Sequence, residues 1–180
     1  MKETLKEIVI RAILSEFDST ITIDKSSLLE KYPFLKEQKA SFVTLNINNN
    51  LRGCIGSIIA HRSLLEDLIH NAKAAAFEDP RFIPLSRDEF DFVDIEISLL
   101  TTPVEVNYID INDLKNQINI GEDGIILKSG YYQSTFLPQV WESLSDFDSF
   151  FYALCQKAGL RATCLERHPS IYKYNVISYK

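Results

Sequence analysis

The chain has 180 residues, 46% of them hydrophobic and 24% charged, with a formal net charge of −6. That length suits one domain, or one domain with a small appended lobe, and it buries roughly two-thirds of the unfolded surface without help from disulfides or metal. The acidic balance and the lack of a basic stripe disfavour nucleic acid as a partner, and no apolar run approaches the roughly 18 residues of a membrane span.

Met1 to Glu7 mixes both charge signs and has no apolar signal-peptide core, so a cytoplasmic protein is expected. Leu5, Ile8, Val9, Ala12 and Ile13 recur at helical spacing and predict an amphipathic helix over Thr4–Phe17. A short helical or irregular stretch, Asp24–Leu35, follows and is interrupted by Pro33. Val43, Leu45 and Ile47 alternate with Thr44, Asn46 and Asn48, the period of a half-buried strand. The turn residues Asn48-Asn49-Asn50 then fold back a second strand, Leu51–Ile59.

Ser63-Leu64-Leu65-Glu66 reads as a capping box that starts a helix ending before Asp79-Pro80. Val93 to Leu99 alternate as a strand, and Asp110–Ile118 suits a short helix. Ile125–Leu127 and Tyr131–Phe136 form a hairpin, and Pro138 suits the first turn of a short helix. Asp146 caps a helix whose stripe is Phe147, Phe150, Phe151, Leu154, Cys155 and Ala158, with Gly159 in the C-cap place. A last strand runs from Ile171 to Tyr179. Helices and antiparallel-type hairpins without a βαβ rhythm point to an α+β fold.

Cys54, Cys155 and Cys164 are an odd, scattered set without CxxC spacing, which argues against a disulfide framework and against structural zinc. His61, His70 and His168 form no HxxxH pair, and GxGxxG, P-loop, HExxH and GxSxG motifs are absent, so no metal and no cofactor are expected. His61 and His70 read as surface histidines, Asp94 and Glu96 as a solvated strand face, and Trp141 as packing.

Three segments carry the candidate chemistry. In Leu51-Arg52-Gly53-Cys54-Ile55-Gly56 two glycines weaken a strand, so Gly53 and Gly56 call for a bulge or a close approach by backbone or ligand. Arg52, Cys54 and Gly56 fall on one strand face, which sets a guanidinium beside a thiol and favours thiolate. Cys54 reads either as a small core residue or as a nucleophile or ligand contact; Arg52 suits an anion. Asp79 and Arg81, in Asp79-Pro80-Arg81-Phe82, either complete that site or pair to lock their own loop. Thr135 and Gln139, at a strand-to-helix turn, either face a ligand or serve as a cap and an ordinary polar side chain.

These segments, in this order, resemble the AMMECR-one domain family, known in prokaryotes as AmmeMemoRadiSam system protein A. Glu96-Ile97-Ser98-Leu99-Leu100, Gly121 through Gly124 and Lys157-Ala158-Gly159-Leu160 add to the likeness, which is clearest from Ala40 through Tyr174. The resemblance implies one α+β domain over residues 1–180, with a main antiparallel sheet flanked by helices and a smaller lobe in the same chain. It also implies a Memo-like protein or a radical-SAM protein as partner. Two functions stand: a binding or accessory component of that system, or an enzyme acting on a small anionic substrate with Cys54 as nucleophile or acid. In the second, Arg52 and Arg81 hold the anion.

Overall fold

The computed structural model describes residues 1–180. Its elements are, in chain order, α1 (Lys2–Phe17), α2 (Lys25–Lys31), β1 (Ser41–Ile47), β2 (Asn50–Gly56), α3 (Leu64–Phe77), α4 (Arg87–Phe90), β3 (Asp94–Leu100), β4 (Val104–Val106), α5 (Ile111–Gln117), β5 (Gly124–Ser129), β6 (Tyr132–Phe136), α6 (Phe147–Lys157), β7 (Ser170–Tyr174) and β8 (Val176–Tyr179). Three 3-10 turns, Pro33–Lys36, Pro138–Glu142 and Cys164–Arg167, complete the set. The α+β class read from the sequence holds. No helix is long and apolar enough to cross a membrane.

The chain forms two compact units. The first, Met1–Leu100 with Ile177–Lys180, carries a sheet in the order β2-β1-β3-β8. Its core faces α1 and α3: Leu5, Ile8, Val9, Ala12 and Ile13 from α1 meet Leu64, Leu65, Leu68 and Ala72 from α3 and Val43, Leu45 and Ile97 from the sheet. Each Leu, Ile or Val side chain among these contributes about 1.5–3 kcal/mol when it leaves water.

The second unit, Thr101–Val176, has the order β4-β7-β5-β6 with α6 supplying the apolar stripe. Trp141 stacks on Phe150 at 3.6 Å, and its indole N–H donates to the Asp123 carbonyl at 2.8 Å. At the end of α6, Gly159 has φ 76, and the Leu160 N–H reaches the Cys155 carbonyl at 3.0 Å, which is the glycine-dependent helix stop the sequence predicts.

Three expectations change. The last strand is two strands in two sheets, broken at Asn175. There the Asn175 N–H donates to Thr101 Oγ1 and its side-chain amide to the Glu122 carbonyl and Asp123 Oδ1, so the ladder is interrupted. Ser63 does cap α3 through the Glu66 N–H, but the Glu66 carboxylate does not reach back; the Lys25 ammonium holds it at 2.9 and 3.1 Å. Cys155 and Cys164 form a disulfide, which the scattered cysteine spacing argued against; the turn after α6 returns the chain to the helix end.

Candidate functional site

The site grows from the β1–β2 hairpin. Asn48 and Asn49 both take positive φ, 52 and 62, the geometry of a two-residue turn whose twist matches its strands. The register then slips between Leu45 and Asn46: Leu45 lies opposite Gly53 and Asn46 opposite Leu51, so Arg52 is the extra residue of a bulge. A bulge re-aims the side chain it carries. Arg52 reaches Glu89, with Nε to Oε1 at 3.0 Å and Nη2 to Oε2 at 3.1 Å, and Nη2 also donates to the Ile83 carbonyl at 3.0 Å.

Glu89 is placed by α4. Ser86 caps that helix, accepting the Glu89 N–H at 3.3 Å while Glu89 Oε2 accepts the Ser86 N–H at 3.0 Å. The Arg52 fork, and then the Ser86 amide, hold the Glu89 carboxyl down to about 2. The Arg52 side chain is only 12% exposed.

β2 is an edge strand, and an edge leaves amides and carbonyls unpaired. At Cys54 side chains fill that role. Asp79 Oδ2 accepts the Cys54 N–H at 2.9 Å, and Arg81 Nη2 donates to the Cys54 carbonyl at 3.2 Å. Arg81 is clamped on Asp79 by Nε to Oδ1 at 2.9 Å and Nη2 to Oδ2 at 2.7 Å. The Arg81 hydrogen bond, aided by the Cys54 amide against the cost of burial, pushes the Asp79 carboxyl far below its ordinary range; Asp79 in turn raises Arg81. The Phe82 ring centre lies 5.9 Å from the Arg52 guanidinium carbon and 5.5 Å from that of Arg81.

Both glycines have a packing cause. A Cβ on Gly53 would stand 2.1 Å from the Ala75 carbonyl oxygen, so β2 and the α3 backbone touch there. At Gly56 a Cβ would stand 2.2 Å from the ring of Phe42, its cross-strand neighbour. The Cys54 thiol is half-buried and meets the Thr44 hydroxyl at 3.2 Å. Arg52, Gly53, Cys54, Gly56, Asp79 and Arg81 are therefore drawn together in the first unit.

Thr135 and Gln139 belong to the second. Thr135 Oγ1 donates to the Ile125 carbonyl at 2.8 Å and sits 3.1 Å from the Tyr174 hydroxyl, whose pKa burial pushes up to about 12. The Thr135 carbonyl accepts from Lys157 Nζ at 2.9 Å. Gln139 is exposed on the 3-10 turn.

Sequence reading missed Glu89 and Asp67. The Asp67 carboxylate, fully buried, accepts the Ser41 N–H at 2.8 Å, the Ser41 and Ser57 hydroxyls at 2.7 Å each, and the Asn71 amide at 2.9 Å. Arg62 pairs with it at 3.3 Å. The signal was present: Asp67 and Asn71 fall on the apolar stripe of α3, between Leu64, Leu68 and Ala75. No group of three or more His, Cys, Asp or Glu side chains is placed to hold a metal ion.

The family model described as AMMECR1 matches residues 7–179. A protein of Sulfolobus acidocaldarius is 40% identical over 157 residues, covering 83% of this chain and 69% of its own. One of Saccharolobus islandicus is 38% identical over 184 residues, covering 98% of this chain and 79% of its own. The crystal structure of an uncharacterised protein from Pyrococcus horikoshii aligns with TM-score 0.83 and 33% identity, over 98% of this chain and 89% of that one.

Proposed function

Since the chain belongs to the AMMECR1 family, we propose that it works as a non-catalytic binding or accessory component, partnered with a Memo-like protein or a radical-SAM protein. The observation that carries this reading is the closure of both guanidinium forks on carboxylates of the same chain, Arg52 on Glu89 and Arg81 on Asp79. An arginine clamped this way gives up the bidentate geometry that a substrate anion would need. The result is a rigid surface rimmed by apolar side chains, with Leu51 41% and Ile83 78% exposed, suited to a protein partner. The choice of partner rests on the family resemblance. Calorimetric titration of the chain with each purified partner tests it: saturable binding that Ile83→Asp removes is expected. Turnover of a metabolite by the isolated chain, or no complex with either protein, overturns it.

A second reading, an enzyme acting on a small anionic substrate with Cys54 as nucleophile or acid, is favoured by one observation. The Cys54 thiol lies outside the disulfide and is not sealed in the core.

A further inference from the structure

The bond between Cys155 and Cys164 belongs to the second unit, whereas Cys54 is in the first, and it joins chain of two different characters. Cys155, fully buried, is on the last turns of α6; Cys164, 5% exposed, opens the final 3-10 turn. From Arg161 to His168 the backbone bonds are short-range: Cys164 N–H to the Arg161 carbonyl, Glu166 N–H to Thr163, His168 N–H to Leu165. Such turns shape the segment locally but do not tie it to the sheet.

Leu160 and Leu165 pack part of the segment against the core, and two further features tie it. One is the disulfide. The other lies at the far end, where the His168 ring stacks on Tyr108 at 4.2 Å and the Tyr108 hydroxyl donates to the Pro169 carbonyl at 2.7 Å. His168 takes φ 54, a left-handed conformation that a residue other than glycine adopts only when its surroundings hold it there. A cavity of about 140 Å³ opens beside the stack, walled by Glu105, Asn107, Tyr108, His168 and Pro169.

We infer that the Cys155–Cys164 bond is a redox-controlled clamp. Oxidised, it fixes the segment Gly159–Pro169 and keeps His168 on Tyr108; reduced, it frees the segment and with it one wall of the cavity. A protein dithiol of the thioredoxin class supplies the two electrons. Its thiolate attacks the Sγ of Cys164, the less buried of the two residues, and the bond to Cys155 breaks; Cys155 leaves as a thiolate and takes up a proton. The second thiol of the reductant then displaces Cys164, which leaves in turn and is protonated, and the reductant is left as a disulfide. Because Cys164 is nearly buried, attack follows local opening of the 3-10 turn.

The test uses the Cys54→Ala chain, oxidised and then reduced with dithiothreitol. Thiol titration after denaturation finds none before reduction and both after it. Hydrogen exchange read by mass spectrometry accelerates by about tenfold or more in residues 159–169 on reduction, with α1 and α3 unchanged as the sign that the first unit stays folded. Cys164→Ser exchanges quickly in that segment with or without reductant. Two thiols in the oxidised protein, equal exchange in both redox states, or slow exchange in Cys164→Ser overturns the inference.

Discussion

Asp79 engages Cys54 through the backbone and not through the thiol: its Oδ2 accepts the Cys54 N–H at 2.9 Å, while Arg81 on the same carboxylate donates to the Cys54 carbonyl at 3.2 Å. The pair fills the hydrogen-bonding positions that a further strand would take beside β2, so it closes a sheet edge with two side chains. That accounts for Asp79 being 4% exposed and ionised at once: each oxygen has donors, and burial of an acceptor so supplied is tolerated.

Replacing Asp79 removes both halves of the closure. Asp79→Ala leaves the Cys54 amide unpaired, while water takes over the Arg81 guanidinium, whose side chain is 53% exposed. The expected loss is about 1–3 kcal/mol, read from the urea midpoint at neutral pH. A midpoint equal to the parent's contradicts the edge-closing role.

Acid acts through the same carboxylates. Arg81 lowers Asp79 from 3.8, and Arg52 lowers Glu89 from 4.5 to about 2. A depressed folded value means that the unfolded chain takes up the proton first as pH falls. Each group's contribution is therefore complete above its ordinary pKa and is lost as pH drops through the folded one. Stability is expected to fall below about pH 4.5, and less steeply in Asp79→Asn/Glu89→Gln. Equal acid slopes for parent and double variant refute this.

The two glycines of β2 differ in what a methyl group meets. Gly53→Ala drives Cβ onto the Ala75 backbone oxygen, which moves only if α3 moves; a loss of about 1–3 kcal/mol is expected, as for overpacked cores. Gly56→Ala meets the ring of the half-buried Phe42, a side chain and not backbone, so its cost is smaller. Denaturant midpoints rank the two, and the reverse order contradicts the packing account.

Asp67 is a fully buried carboxylate. Asp67→Ala strands the buried Ser41 amide and the hydroxyls of Ser41 and Ser57, and a loss of at least about 2 kcal/mol follows. Thermal unfolding of the variant within a degree or so of the parent rules that out.

The fold was legible where structure is local. Helical spacing in α1 and α6 and the cap at Asp146 rest on residues a few positions apart, and they stand as read. The turn read over Asn48-Asn49-Asn50 is the two residues Asn48 and Asn49, with Asn50 already in a strand that ends at Gly56 and not Ile59. What escaped depends on distant partners. Arg52 is 37 positions from Glu89, and the sequence supplied several other carboxylates for it. Glu66 looked like half of a capping box until Lys25, 41 positions away, captured it. The glycines called for a bulge or a close approach by backbone or ligand; the bulge falls at Arg52, and what approaches is the α3 backbone at Gly53 and the Phe42 side chain at Gly56. Asp67 alone carried a readable sign, a carboxylate on an apolar stripe.

Cys54 separates the two functional readings. The hydrogen-bond partner of the Cys54 thiol is the neutral Thr44 hydroxyl at 3.2 Å, and a hydroxyl is not a base that activates a thiol. Alkylation of Cys54 by iodoacetamide at neutral pH is expected to be no faster than that of a free thiol. A rate well above it, lost in Arg81→Ala, favours the enzyme.

Both guanidinium groups are committed to the chain's own carboxylates, and arginine side-chain nitrogen NMR measures that directly. The Arg52 and Arg81 Nε–H signals are predicted to resist solvent exchange, to stay in place through a titration with orthophosphate, and to lose protection in Glu89→Gln and Asp79→Asn respectively. Saturable movement of either signal with phosphate would contradict it, since the fork would then be open to an outside anion.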